Sequence, residues 1–166
     1  MKFIVDEKDI NNYFILTDVG LLSSEEAEVL LTDTKRNLHT SWWLSPADNT
    51  ASGLRVVDES GAIVKAPSVA SGWDLGVRPA LRFTCSARVN VGDQLVIGKE
   101  TWMVALVSPV SDSIAVCDRI VGKTKFCSGA VTDYRDSDVR CWILDWAAGR
   151  GILPASLQQV LNNLTM

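Results

Sequence analysis

His39 is the single histidine in 166 residues, and the four cysteines, Cys85, Cys117, Cys127 and Cys141, are widely spread with no C-x-x-C pair. Zinc needs clustered thiolates or imidazoles to close a tetrahedron, so no metal site is expected. The thiols read as free, buried core residues; a disulfide stays open, because spacing does not fix its geometry. Asp133, Asp136 and Asp138 lack the glycine and terminal glutamate of a calcium loop. Helix capping explains Asp136 and Asp138 more economically. The Gly-Lys pairs of "GKETW" and "VGKTKF" lack the glycine-spaced loop of a phosphate cradle. No serine or cysteine stands at a spacing that suggests a hydrogen bond with His39, which reads as a structural or solvated residue. The expectation is a protein that is not an enzyme and carries no cofactor.

Recognition chemistry gathers instead between residues 48 and 74. Asp48, Asn49, Arg55, Lys65, Trp73 and Asp74 fall in or beside the loops of a predicted hairpin. In "ASGWDLG", Trp73 stands between a glycine and an acid, the setting of a hot-spot indole. The other reading, in which Trp73 tucks back over the sheet, stays open. Trp42 and Trp43 of "TSWWLSP" pose a different problem. Neighbours on a strand point to opposite faces, so both indoles are buried only where the strand is covered on both sides. Both are expected to be structural, the other reading being one indole buried and one displayed in a binding groove. One anchors the core beneath the hairpin, and its neighbour lies on the other side, under the helix from Ser24 or against the Arg78 guanidinium.

The elements that must position these residues alternate strands with short helices. "NNYFILTDVG" reads as extended and ended by Gly20. "SSEEAEVLLTDTKR" reads as one helix, with Ser23 and Glu26 as a capping box, early acids and late bases. "GLRVVDESGAIVKA" is a hairpin turning at Asp58 to Gly61, and "LGVRPALRFTC" returns as a further strand. Pro79 belongs at an edge, a bulge or a strand start. From Ala87 an antiparallel meander turns at Gly92-Asp93 and Gly98-Lys99. A helix follows, capped by Asp136 or Ser137 and closed by Gly149, with Val139, Trp142, Ile143 and Trp146 as its core stripe, Trp142 being structural. A last helix starts near Pro154 and presents Leu157, Leu161 and Leu164 along one side. Without a βαβ rhythm, the class is α+β with antiparallel sheets and two or three short helices.

Net charge is −4, with acids and bases interspersed. That disfavours a nucleic-acid or membrane partner. One domain over residues 1–166 is expected. The segment "MKFIVDEKDI" turns acidic after a few apolar residues and reads as no signal peptide.

"SWWLSP", the hairpin and "GVRPAL" together resemble the Trp-Trp-Leu-Arg-Ser-Pro to Gly-Val-Arg-Pro-Ala-Leu pattern of an uncharacterised domain family of gut bacteria and their phages. "YRDSDVRCWIL" and "GDQLVIGKETWMVAL" are similar to the same family's helix and opening strands. The order is rotated: residues 14–83 resemble the family's C-terminal half and 91–166 its N-terminal half, joined by Thr84 to Asn90. That is the pattern of a circular permutation. "WWLSP" also lacks the family's arginine, while Arg78 is kept. The resemblance implies a C-type-lectin-like fold and a phage- or prophage-encoded binding module for a protein or a glycan. The alternative is an intracellular phage-made inhibitor or regulator docking on a host protein, with a small hydrolytic enzyme as the remainder. The expected location is cytoplasmic or virion-associated. A homo-oligomer or domain-swapped dimer is allowed, because each half of a permuted chain can complete its neighbour's.

Overall fold

The computed structural model describes residues 1–6, 9, 13–46, 54–66, 72–86, 88–127 and 134–164. Asp48, Asn49, Asp133 and Ala87 of the expected join lie outside the described residues. The class is mixed α+β. The chain divides into two compact units, the first built from 1–20, 79–118 and 143–166, the second from 21–78 and 119–142. Each unit draws on both of the stretches 14–83 and 91–166, so the resemblance halves do not coincide with this division.

The first unit is organised on a six-stranded sheet. Its strands are β1 (Lys2–Ile4), β2 (Phe14–Gly20), β7 (Ala80–Cys85), β8 (Gln94–Ile97), β9 (Glu100–Leu106) and β10 (Ser113–Cys117), in the order β1-β8-β9-β10-β7-β2. The antiparallel meander β8-β9-β10 forms with Gly98-Lys99 as the turn from β8 to β9, whereas Gly92-Asp93 lies before β8 and joins no two strands of it. Gly98 and Lys99 have φ of 62° and 65°, the left-handed pair that a two-residue hairpin turn needs to match strand twist. Strand β1 differs from expectation: it runs parallel to β8, so the sheet is not wholly antiparallel. The core holds Phe14 stacked on Phe83 at 4.7 Å, with Leu81, Leu95, Trp102 and Val116 fully buried.

Helix α3 (Asp138–Gly149) runs across the division between the units, and α4 (Ala155–Leu164) belongs to the first. Ser137 is the residue that caps α3, its hydroxyl accepting from the Arg140 N–H at 3.2 Å. The closing glycine is Gly151 rather than Gly149. Gly151 has φ of 70°, the Ile152 N–H reaches the Ala147 carbonyl at 3.0 Å, and the Gly151 N–H reaches Ala148 at 3.2 Å. This Schellman closure satisfies carbonyls that the helix end would orphan. The fully buried positions are Val139, Ile143, Leu144 and Ala147, while Trp142 and Trp146 are half-buried at the margins of that stripe. The aliphatic residues thus replace the expected tryptophans as the inward face. Trp146 tilts against Trp102 at 6.1 Å and carries the Arg150 guanidinium 5.4 Å over its ring. Arg150 also pairs with buried Glu100 at 3.2 Å.

The second unit has a five-stranded sheet in the order β11-β6-β3-β4-β5. Its strands are β3 (Trp42–Trp43), β4 (Arg55–Val57), β5 (Ile63–Lys65), β6 (Leu75–Val77) and β11 (Gly122–Thr124). β3 and β6 are parallel and the other pairs antiparallel. "LGVRPALRFTC" is therefore two strands in two sheets. Pro79 offers no N–H to a ladder, so the chain leaves β6 at Arg78-Pro79 and starts β7 one residue later.

The predicted single helix after Ser23 is two, α1 (Ser24–Leu30) and α2 (Asp33–Arg36), which brings the helices among the described residues to four. The capping box is present: the Glu26 N–H donates to Ser23 Oγ at 3.1 Å, and the Ser23 N–H donates to Glu26 Oε1 at 2.9 Å. Leu31 is extended and buried, and the Thr32 hydroxyl accepts from the Lys35 N–H at 3.3 Å, so threonine opens a new helix instead of continuing the old. Arg36 then folds back. It donates to the Leu31 carbonyl at 2.7 Å and the Ala27 carbonyl at 3.3 Å, both at the open end of α1. Among the described residues no helix is long and apolar enough to cross a membrane.

Candidate functional site

Trp42 and Trp43 are both fully buried, on opposite faces of β3. The Trp42 indole N–H donates to the Arg36 carbonyl at 3.1 Å, and its ring lies 5.1 Å beneath the Arg78 guanidinium. Arg78 is itself buried and donates to the Lys35 carbonyl at 2.8 Å. On the other face the Trp43 N–H donates to the Thr124 carbonyl at 2.8 Å, and its ring meets Phe126 edge-on at 5.5 Å. Both polar handles are occupied inside the unit, which leaves neither indole to a ligand. Trp142 packs against Gly122, where a Cβ would fall 2.5 Å from the ring. The close approach requires glycine there.

None of the four cysteines is in a disulfide; Cys117 and Cys127 are buried as expected, Cys85 and Cys141 only half-buried. Among the described residues no group of histidine, cysteine and acidic side chains is disposed to hold a metal ion.

A polar cleft of about 170 Å³ opens in the second unit, lined by His39, Ser41, Glu59, Asp74 and Lys123 with Thr40, Leu75 and Gly76. Sheet register assembles it from separate parts of the chain. Trp42 aligns with Gly76 in the parallel pair and with Val57 in the antiparallel one, and Lys123 sits opposite Gly76. The residues just before Trp42, just before Gly76 and just after Val57 must then emerge at one end of the sheet. Gly76 forms the floor: its N–H donates to the Ser41 carbonyl at 2.9 Å, and a Cβ there would meet that oxygen at 2.9 Å. His39 has φ of 59°, a left-handed conformation uncommon outside glycine, held by its N–H donating to Asn37 Oδ1 at 2.9 Å.

Of the residues singled out from the sequence, Asp74 lines this cleft and Trp73 precedes it in the chain with 51% of its surface exposed. Arg55 and Lys65 face each other across β4 and β5 at the end of that hairpin away from Glu59, so they do not join the cleft. His39, Ser41, Glu59 and Lys123 were not among the expected binding residues. No local pattern marks them; only the pairing of β3 with β4 and β6 brings them together.

The hairpin turn beside the cleft is fixed by Asp58. Its carboxylate accepts from the Ser60 hydroxyl at 2.6 Å, the Ser60 N–H at 2.9 Å and the Ala62 N–H at 3.0 Å, which holds its pKa below the ordinary 3.8. A depressed folded value means that the carboxylate's contribution is fully present above the unfolded pKa and is lost as pH falls through the folded one. The stability difference between the native chain and Asp58→Ala should therefore narrow in acid below the ordinary carboxylate range. Denaturant melts at stepped pH check this, and a constant difference would contradict it.

A larger groove of about 580 Å³ in the first unit is lined by Thr84, Cys85, Arg88 and the loop Val107–Ser113. Its serines are engaged locally: Ser113 Oγ accepts from the Ser108 N–H at 3.1 Å, and the Ser108 and Ser111 hydroxyls pair at 2.8 Å. No family model, curated protein or solved structure matches this chain.

Proposed function

We propose that this chain is a non-enzymatic binding module of C-type-lectin-like type, phage- or prophage-encoded, which recognises a protein or a glycan through the face around Trp73 and the sheet-end cleft. The reading is supported above all by the half-exposed Trp73 indole next to Asp74 of a cleft rich in hydrogen-bonding groups. An indole displayed among polar groups offers large, rigid contact area with few rotamers to fix, the character of a recognition hot spot. The lectin-like and phage assignments rest on the "SWWLSP", "GVRPAL" and "YRDSDVRCWIL" resemblance.

The test compares the native chain with Trp73→Ala in binding to whole bacterial cells, purified envelope glycans and host lysate. An exposed-hot-spot role predicts a loss of at least about 2 kcal/mol, roughly thirtyfold in Kd, with an unchanged melting temperature. Loss of envelope binding points to adhesion, with virion association then tested directly. Loss of one soluble host protein points to the intracellular regulator. Equal binding by both chains contradicts the proposed face.

A further inference from the structure

In the six-stranded sheet, the ladder between β7 and β10 stops before β7 does. Ser113 opposite Phe83 is its last register pair, whereas β7 runs on through Thr84 and Cys85 against β2. Antiparallel parity fixes where the backbone groups of those residues point. The Ser86 N–H donates to the Tyr13 carbonyl at 3.0 Å, so Ser86 and Thr84 turn their N–H and C=O to β2 and Cys85 turns its own away. On the other side the Cys117 N–H donates to the Pro79 carbonyl at 2.9 Å, which makes Pro79, Leu81, Phe83 and hence Cys85 the residues that face the β10 side. The N–H and C=O of Cys85 therefore point to the place that Ser111 would hold if β10 began earlier. Among the described residues neither group meets a partner there.

The chain before β10 is held out of that place by two features. A register shift between the pairs Ile114–Leu106 and Ala115–Val104 puts an extra residue into β9, and such a bulge bends its strand and ends regular pairing. The loop beyond it is tied to itself. The Ser108 N–H donates to Ser113 Oγ at 3.1 Å, and Ser108 Oγ accepts from the Val110 and Ser111 N–H groups at 3.4 and 3.1 Å. Between this loop and Thr84, Cys85 and Val89 lies the groove of about 580 Å³. It is an open strand position with a preset backbone donor and acceptor on one wall, the template that an added strand uses.

We propose that this groove binds an extended peptide segment, which adds as a short strand in the position β10 leaves open and exchanges two backbone hydrogen bonds with Cys85. Directly opposite residues of an antiparallel pair share a face, so the segment residue opposite Cys85 puts its side chain on the face that carries Phe83. That residue is apolar. The groove offers it Val89, Val107 and Val110, the last with 92% of its surface exposed. Among the described lining residues Arg88 and Asp112 balance in charge, which suits an uncharged segment better than an acidic or basic one. The groove lies within the first unit and shares no residue with the Trp73 face, so the inference goes beyond the binding reading and stands without it.

The test is an amide-shift titration of the intact chain by two-dimensional NMR with acetylated, amidated pentapeptides Thr-Thr-X-Thr-Thr, where X is Val, Ile, Leu, Phe, Asp or Lys. At least one peptide with an apolar X should give saturable shifts at residues 84–86 and 107–113, the Cys85 amide among them, and the Asp and Lys peptides should bind more weakly. N-methylation at X removes the hydrogen that reaches the Cys85 carbonyl and should weaken binding about tenfold or more. Cys85→Pro removes the N–H that faces the groove and no bond to β2, and should abolish the shifts, its fold being checked by circular dichroism. If that variant does not fold, the N-methylated peptide on the native chain decides alone. No response at these amides to any apolar peptide, equal binding of the N-methylated form, or full binding by a folded Cys85→Pro chain overturns the proposal. Trp73→Ala should leave this binding unchanged, so the groove and the Trp73 face fail or stand separately.

Discussion

Trp43→Ala should destabilise the second unit by about 3–5 kcal/mol, the largest effect expected of any single truncation in its sheet. The indole is fully buried, and its loss removes the edge contact with Phe126 at 5.5 Å. It also strips the Thr124 carbonyl of a 2.8 Å donor, so a cavity and an unsatisfied acceptor appear together. Trp43→Phe keeps most of the volume but not the N–H, and should recover more than half of the loss. Urea denaturation of both variants provides the measurement. A change under about 1 kcal/mol in Trp43→Ala would show that this residue is not an anchor of the core.

The second large effect belongs to the buried pair of the first unit. Glu100 has only 4% of its side chain exposed and meets Arg150 at 3.2 Å, while Cys117 Sγ lies 4.0 Å from its other oxygen. Breaking such a pair from one side takes the guanidinium counter-charge from a buried carboxylate, which costs about 3–5 kcal/mol, with Arg150's partial exposure favouring the lower end. Arg150→Met should therefore be strongly destabilising, because it also loses the 3.3 Å donation to the Gly98 carbonyl and the cover over Trp146. Adding Glu100→Gln removes the buried charge and should return a large part of the loss. A double-mutant cycle in urea measures the coupling. Strict additivity of the two changes would contradict a cooperative pair.

Much of the local structure was legible because it is written in residues that act on their own neighbours. Ser23 and Glu26 announce a helix start through a reciprocal pair three residues apart, and Gly98-Lys99 announces a tight turn through the backbone freedom it needs. The tandem tryptophans implied a strand either covered on both faces or with one face displayed, and Arg78 was among the partners weighed for them. The break of the first helix was harder to see. It depends on Leu31 being drawn into the core in an extended conformation, a tertiary demand that overrides a favourable helical pattern. Gly149 and Gly151 are equally plausible helix stops by type, and only the carbonyl each would satisfy separates them.

The cleft was the least legible feature. Asp74 was picked out because it follows Trp73, and His39 was set aside because nothing within its own segment engages it. Their meeting depends on β3 pairing parallel with β6 and antiparallel with β4. Such register is fixed by long-range packing around Trp42 and Val57 rather than by any spacing along the chain.

The most direct test of the functional account is a footprint by NMR or hydrogen exchange, with the ligand captured from cells or lysate bound to the intact chain. Protection and shifts concentrated at residues 39–41, 59, 72–76 and 123, with the buried indole N–H signals of Trp42 and Trp43 unmoved, are the result predicted. A footprint centred on Thr84–Val89 and Val107–Ser113, with the sheet-end cleft untouched, would contradict it.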